Sequence, residues 1–339
     1  MKDWLETARE SDYTAPGFKF AVGGELDLRL HYRTLGALAP DRGNAVLMLH
    51  GTVGSSKQFL QPSVADFLFW PGRPLDAGKY FVIFPDAIGH GGSSKPSDGL
   101  ETAFPRYCYA DIVEAQHRLV TAGLGLKRLR LVLGTSMGGM HTWMWGERYP
   151  DMMDALLPIA SLPERVDGRN LLWRRLLMQI VRLGERERTA ASTEQPTSLG
   201  LAWNLFRLMV DSPARLSGAF ASPTDADNYI LGIAEEALKV EKANDVLWEF
   251  DASRDYDPSA GLGLIDAPLL AVNFADDELN PVELGGLERA IAQVRRGRGI
   301  TLPVGPNSRG HQTLAVAEVW QDCVRQLLRQ TEKRQDTSR

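Results

Sequence analysis

Six stretches of this chain are apolar almost without interruption: "AVLMLH" (45–50), "YFVIFPD" (80–86), "LRLVLG" (129–134), "ALLPIAS" (155–161), "PLLAVNF" (268–274) and "ITLPV" (300–304). A strand with one face in water alternates apolar and polar residues, whereas a run without alternation suits a strand covered on both faces. These runs therefore read as parallel strands inside a sheet, with helices packed above and below. The segments between them agree. In the clearest, Val316, Val319, Trp320, Cys323, Val324, Leu327 and Leu328 recur at three- and four-residue spacing, leaving Arg325, Gln326 and Arg329 outside.

Two regions depart from that rhythm. In "FKFAVGGELDLRLHYRTLG" (18–36), Leu26, Leu28, Leu30 and Tyr32 alternate with polar residues after Gly23-Gly24, the signal of an antiparallel hairpin. From about 163 to 254 no convincing strand occurs. That stretch carries helical segments such as "NLLWRRLLMQIVRL" (170–183) and "LGLAWNLFRLMV" (199–210), with "TAASTEQPTSLG" (189–200) reading as an exposed connection. The expected architecture is α/β: a mostly parallel, doubly wound sheet with an N-terminal antiparallel hairpin. Residues 1–162 and 255–339 form its core, and 163–254 an inserted helical cap.

Composition narrows the partners. Lys and Arg number 38 against 43 Asp and Glu, a net charge of −5 over 339 residues, so no strong field favours nucleic acid or an anionic membrane. Two cysteines, Cys108 and Cys323, are too few for a disulfide framework or a metal-binding pattern, and neither metal nor cofactor is called for. The opening "MKDWLETARE" has neither a basic nor an apolar leader region, and no apolar run reaches membrane-spanning length. A cytoplasmic protein acting on a small molecule is the expectation.

Gly134-Thr135-Ser136-Met137-Gly138 fits G-x-S-x-G and lies between a buried run and a helical pattern. A sharp strand-to-helix turn lifts the serine hydroxyl clear of the sheet, and small residues on either side let neighbouring backbones approach. Ser136 also falls at a helix N-terminus, where unsatisfied N–H groups favour developing negative charge.

A serine hydroxyl needs a base and an acid to become a nucleophile. Of the six histidines, His31 lies in the hairpin, His50 ends a run, His90 sits in "GHGGSS", and His117 and His141 fall in helical patterns. In the chain order serine, acid, histidine, only His311, in "SRGHQTL", stands far enough downstream. The acid comes from "VNFADDELNP" (272–281), where adjacent residues at an extended end point apart. One of Asp277 and Asp276 should therefore face the imidazole. Backbone N–H groups of Met137 and of Thr52, in "LMLHGTVGSS" (47–56), are placed to form an oxyanion hole.

These residues carry a family resemblance. "FPRYCYADIVEAQHRLVTAGLGLKRLRLVLGTSMGGMHTWMWGERYPDMMDALLPIAS" (104–161), "ADDELNP" and "SRGHQTL" are similar to motifs of the homoserine acetyltransferase-like group of α/β-hydrolases. The likeness covers about 20–162 and 255–330 and thins over the cap. It implies Ser136 as nucleophile, Asp277 as acid, His311 as base, Thr52 and Met137 at the oxyanion hole, and a homodimer. Two positions depart from the group's acetyltransferases: "PDAIGHGGSSKPSD" (85–98) replaces a Gly- and Thr-rich stretch, and Gln312 replaces an aspartate that helps hold the substrate amine.

A neutral amide binds an ammonium group less well than a carboxylate. The expected activity is therefore a cofactor-free serine hydrolase acting on an ester, lactone or related acyl compound. An acyl-CoA-dependent O-acyltransferase is the alternative, and a non-catalytic binding protein of the same fold a third. The cap is more apolar than its own packing needs. Trp173 and Trp203, with Gln312, are candidate substrate contacts, and other cap residues a candidate homodimer interface.

Overall fold

The computed structural model describes residues 3–187 and 197–335. Its strands are β1 (Arg9–Lys19), β2 (Glu25–Leu35), β3 (Ala45–Leu49), β4 (Phe81–Pro85), β5 (Leu131–Thr135), β6 (Leu156–Ile159), β7 (Leu269–Phe274) and β8 (Gly297–Leu302). They form one sheet in the order β1-β2-β4-β3-β5-β6-β7-β8. β1 pairs antiparallel with β2, and β2 antiparallel with β4; every other pair is parallel.

Helices α1 (Trp4–Thr7), α2 (Pro62–Leu68), α3 (Tyr109–Arg118) and α4 (Met137–Arg148) precede β6. Helices α5 (Gly168–Glu187), α6 (Thr197–Val210), α7 (Pro213–Leu216), α8 (Pro223–Val240) and α9 (Ala243–Asp251) lie between β6 and β7. Helices α10 (Gly286–Ile291) and α11 (Ala317–Gln335) follow β7 and β8 respectively.

Successive residues of the central strands enter two different cores, which is why the runs carry no polar alternation. Val46, Met48, Leu131, Leu133, Leu270 and Val272 pack with Val64 and Leu68 of α2 and with Trp320 and Val324 of α11. Their neighbours Leu47, Leu49, Val132, Leu269 and Ala271 pack on the other face, with Trp143 and Trp145 of α4 and Leu287 of α10. Burying each such side chain contributes about 1.5–3 kcal/mol. The helix-covered sheet is thereby a rigid base for the loops at its strand ends.

The edges of the sheet differ from the sequence reading. β8 begins at Gly297, three residues before the apolar run, and pairs with β7 from Leu269↔Gly297 to Phe274↔Leu302. As an edge strand it is partly exposed, and Gly297-Arg298-Gly299 carries no apolar signal. At the other edge β1 starts at Arg9, in a stretch whose mostly exposed side chains hide the pairing.

Between β6 and β7 no strand occurs among the described residues, and the helices there build their own core. Leu177 and Val181 of α5, Leu199, Ala202 and Trp203 of α6, Ala237 of α8 and Val246 and Phe250 of α9 pack together. Of the stretch read as a connection, residues 189–196 lie outside the described residues. Thr197–Gly200 instead open α6, with Leu199 buried. Glycine at 200 lets α6 lie against α8, since a Cβ there would stand 2.7 Å from that of Ala234. No helix among the described residues is long and apolar enough to cross a membrane.

Candidate active site

Ser136 occupies the turn from β5 to α4, with φ 53° and ψ −117°. A non-glycine residue in that region stores roughly 1–3 kcal/mol of strain. Here the surroundings enforce it: the Ser136 N–H donates to Ile159 O at 2.9 Å, and its carbonyl accepts from Met140 N at 2.9 Å. The two glycines of the motif are required by space. A Cβ on Gly134 would lie 2.0 Å from Gly138 O, and one on Gly138 would lie 1.9 Å from Leu49 O.

Three strand ends bring the remaining groups to this turn. His311, in the loop after β8, accepts the Ser136 hydroxyl at Nε2, 2.8 Å away, and donates Nδ1–H to Asp277 Oδ2 at 2.8 Å. Asp277, beyond β7, also accepts from Leu279 N (2.9 Å) and Asn280 Nδ2 (2.8 Å). Burial pushes the pKa of this carboxyl up, but the His311 ring and these donors outweigh burial and hold it below its ordinary value. It therefore stays ionised opposite the imidazole.

Asp276 faces the other way, its Oδ2 accepting from Gly310 N at 2.9 Å. The adjacent aspartates thus clamp the histidine loop from two sides, one through the imidazole and one through the backbone. Gly310 takes φ 58°, and a Cβ there would meet the Asp211 carbonyl at 2.9 Å. The other histidines are engaged elsewhere. His31 contacts Asp12, His50 bridges Gly51 O and Ala87 N, His117 stacks on Tyr149 and His141 lies beside Gln116.

The loop after β3 passes against Ser136, with Gly51 so close that a Cβ there would lie 3.5 Å from that of the serine. Gln58 braces this loop by accepting from Gly51 N and donating to Thr135 Oγ1. Thr52 and Met137, the residues read as oxyanion donors, are both buried here. Sequence reasoning missed His90, whose Nε2 lies 2.6 Å from Thr52 O while Nδ1 lies 2.9 Å from Ile88 O. Burial and the neighbouring His50 lower its pKa to about 4. The "GHGGSS" loop was the visible signal, but its contact is 38 residues away.

Two cavities meet at the Ser136–His311 pair. One, of about 660 Å³, is lined by Thr52, Phe206, Met209, Val210, Glu249 and Gln312 among others; the second, of about 690 Å³, by Met140, Leu162, Asn170, Asn280 and Leu284. Gln312 lines the first of these, next to His311. Trp203 does not line either cavity: it lies in the cap core, one turn before Phe206 on the stripe of α6 that continues to the cavity. Trp173 lines neither, and its ring instead carries the Arg169 guanidinium at 4.5 Å. Asn170 and Arg174, four residues apart on α5, supply that helix's face to the site.

A serine on a strand-to-helix turn, hydrogen-bonded to a histidine and through it to a buried aspartate, is the arrangement typical of the strand ends of an α/β-hydrolase sheet. The chain belongs to the α/β hydrolase fold family, which it matches over residues 44–295. A homoserine O-acetyltransferase from Chlorobaculum parvum is 34% identical over 46% of this chain and 44% of its own length. A probable acyltransferase from Methanothermobacter thermautotrophicus is 28% identical, covering 84% of this chain and 88% of its own. The chain spans less than half the length of the first curated relatives it matches. An acetylester hydrolase structure from Corynebacterium glutamicum superimposes with a TM-score of 0.83 at 21% identity, covering 95% of this chain and 96% of that one.

Proposed function

We propose that this protein is a serine hydrolase that cleaves a carboxylic ester, lactone or related acyl bond through an acyl-enzyme. The observation that carries the reading is the continuous hydrogen-bond chain from Ser136 Oγ through His311 to Asp277 at the meeting point of two cavities. His311 Nε2 takes the hydroxyl proton as Oγ bonds to the acyl carbon, and Asp277 stabilises the imidazolium. The backbone N–H groups of Thr52 and Met137 hold the tetrahedral oxyanion. Its collapse expels the alcohol, which receives the proton from His311, and water then repeats the sequence to release the acid and free serine.

An amine-bearing alcohol such as homoserine is disfavoured as acceptor because Gln312 lies in the cavity wall beside His311 and supplies no negative charge for a substrate amine, which tilts the reading toward water. Acyl transfer from a thioester such as acetyl-CoA is the second reading, favoured by the relatives named as acyltransferases. A screen over esters, lactones and thioesters, with and without a panel of alcohols, separates the two. Hydrolysis lost in Ser136→Ala supports the first reading; turnover that requires an added alcohol supports the second; wild-type turnover in a folded Ser136→Ala protein refutes both.

Helices α5, α6 and α8 expose Leu172, Leu183, Leu201, Leu208 and Leu231. These residues fit the homodimer that the family resemblance implies. A solution mass of twice 37.5 kDa at micromolar concentration is expected, and a mass of 37.5 kDa contradicts the dimer.

A further inference from the structure

Arg174 is only 6% exposed, yet it lines both cavities together with Ser136 and His311. We infer that its guanidinium is an anion subsite at the junction of the two cavities, and that the substrate carries a carboxylate within its reach. The inference deepens the proposed function and rests on acyl chemistry at Ser136.

The physical problem is an uncompensated buried charge. A guanidinium stays protonated in any protein environment, and a buried one is costly unless it is paired. The partners of Arg174 are neutral: Nε donates to Asn170 Oδ1 at 2.9 Å, Nη1 reaches Ser253 Oγ at 3.4 Å, and the Phe250 ring lies 5.7 Å from the guanidinium carbon. Nη2 makes no hydrogen bond among the described residues. Asp251, next to Phe250, is already held by Arg106, Arg175 and Arg254. Glu249, in the wall of the same cavity, has its pKa pushed well above the ordinary carboxylate value by burial and the nearby Glu241, and makes no ion pair with Arg174 among the described residues.

No other basic side chain of the two walls has this character. Arg165, Arg169 and Arg289 are exposed and paired with Asp167, Glu278 and Glu164, and Lys57 is exposed. Asn170 takes the Nε–H of Arg174 and Ser253 one Nη1–H, which leaves Nη2 and the second Nη1–H of the planar group for a two-point contact. A carboxylate presents two oxygens that match such a two-point contact. A substrate so anchored would hold its ester carbonyl in the gap between Ser136 and the cavity walls.

The carboxylate can sit in the acyl half or the alcohol half of the ester, and two substrate pairs distinguish these. For the acyl half, monomethyl succinate is compared with methyl succinamate; for the alcohol half, O-acetylglycolate with O-acetylglycolamide. The wild-type enzyme is expected to prefer the acid over its neutral amide by at least about 10-fold in kcat/KM in one pair, the scale of a charge-assisted hydrogen bond. Arg174→Gln is expected to cut that preference at least about 10-fold, and Arg174→Lys to retain part of it. An unchanged acid-to-amide ratio in Arg174→Gln, or a wild-type preference for the amide in both pairs, overturns the subsite.

If Arg174→Gln does not fold, protection of the wild-type serine from a fluorophosphonate probe serves instead. Slower labelling with succinate or glycolate than with succinamide or glycolamide supports the subsite, and equal protection overturns it. Failure of the hydrolase reading is distinguishable, because it appears as ester turnover that survives Ser136→Ala, whatever the acid-to-amide ratio.

Discussion

Replacing Asp277 by asparagine separates the proposed acid from its neighbour Asp276 with one atom changed. The Asp277 carboxylate accepts three hydrogen bonds, from His311 Nδ1, Leu279 N and Asn280 Nδ2. Asparagine offers one acceptor oxygen and one NH2 group in the same space. If the oxygen faces Leu279, the NH2 group faces His311 Nδ1 and selects the tautomer with the proton on Nε2, which cannot accept from Ser136. If the oxygen faces His311, the NH2 group confronts Leu279 N–H, leaving a buried donor unmet at a cost of about 1–3 kcal/mol. The wrong tautomer lowers kcat by about 10⁴-fold, or about 5 kcal/mol of transition-state stabilisation.

The assay is steady-state hydrolysis of an activated ester by Asp277→Asn and Asp276→Asn, with circular dichroism and thermal melting to establish folding. Asp276→Asn keeps an acceptor for Gly310 N, so its kcat should stay within about 10-fold of wild type. A folded Asp277→Asn protein with kcat near wild type, or a larger loss in Asp276→Asn, refutes the assignment of roles.

Two further perturbations test the surroundings of the site. His90→Gln removes the ring that holds the Thr52 carbonyl, so kcat should fall by about 10–100-fold with little change in KM, below the 10²–10³ of losing an oxyanion donor outright; an unchanged kcat would show that Thr52 needs no such support. Glu241, in the wall of the 660 Å³ cavity, has its pKa raised by burial and by Asp245 from 4.5 to about 7. Its folded form holds the proton more tightly than the unfolded chain, so this residue should make stability fall as pH rises from about 4.5 to about 7. Melting temperatures of wild type and Glu241→Gln across that range should show a shallower decline in the variant, and parallel curves would contradict the shift.

The interior of this fold was legible because burial on both faces leaves an uninterrupted apolar run, as in β3, β5 and β7. The edges were less so, since Gly297-Arg298-Gly299 pairs with β7 through backbone alone. Ser136 and His311 were legible as candidates because each follows a strand and carries a local signature, whereas Asp276 and Asp277 share one stretch and only the family resemblance favours Asp277. His90 and Arg174 were invisible as site residues: one acts through a carbonyl 38 residues away, and the other is defined by what fails to pair with it. Trp203 shows the complementary limit, because an amphipathic helix announces its apolar stripe but not where that stripe passes from cap core to cavity.

The most direct test of acyl-enzyme chemistry at Ser136 is rapid-quench mass spectrometry of the protein mixed with p-nitrophenyl acetate. Expected is one transient acetyl group per chain, mapped to the peptide containing Ser136, formed faster than it decays in water and absent from Ser136→Ala. Turnover of the ester with no adduct on Ser136, or an equal adduct in Ser136→Ala, would contradict the nucleophilic role assigned to this serine.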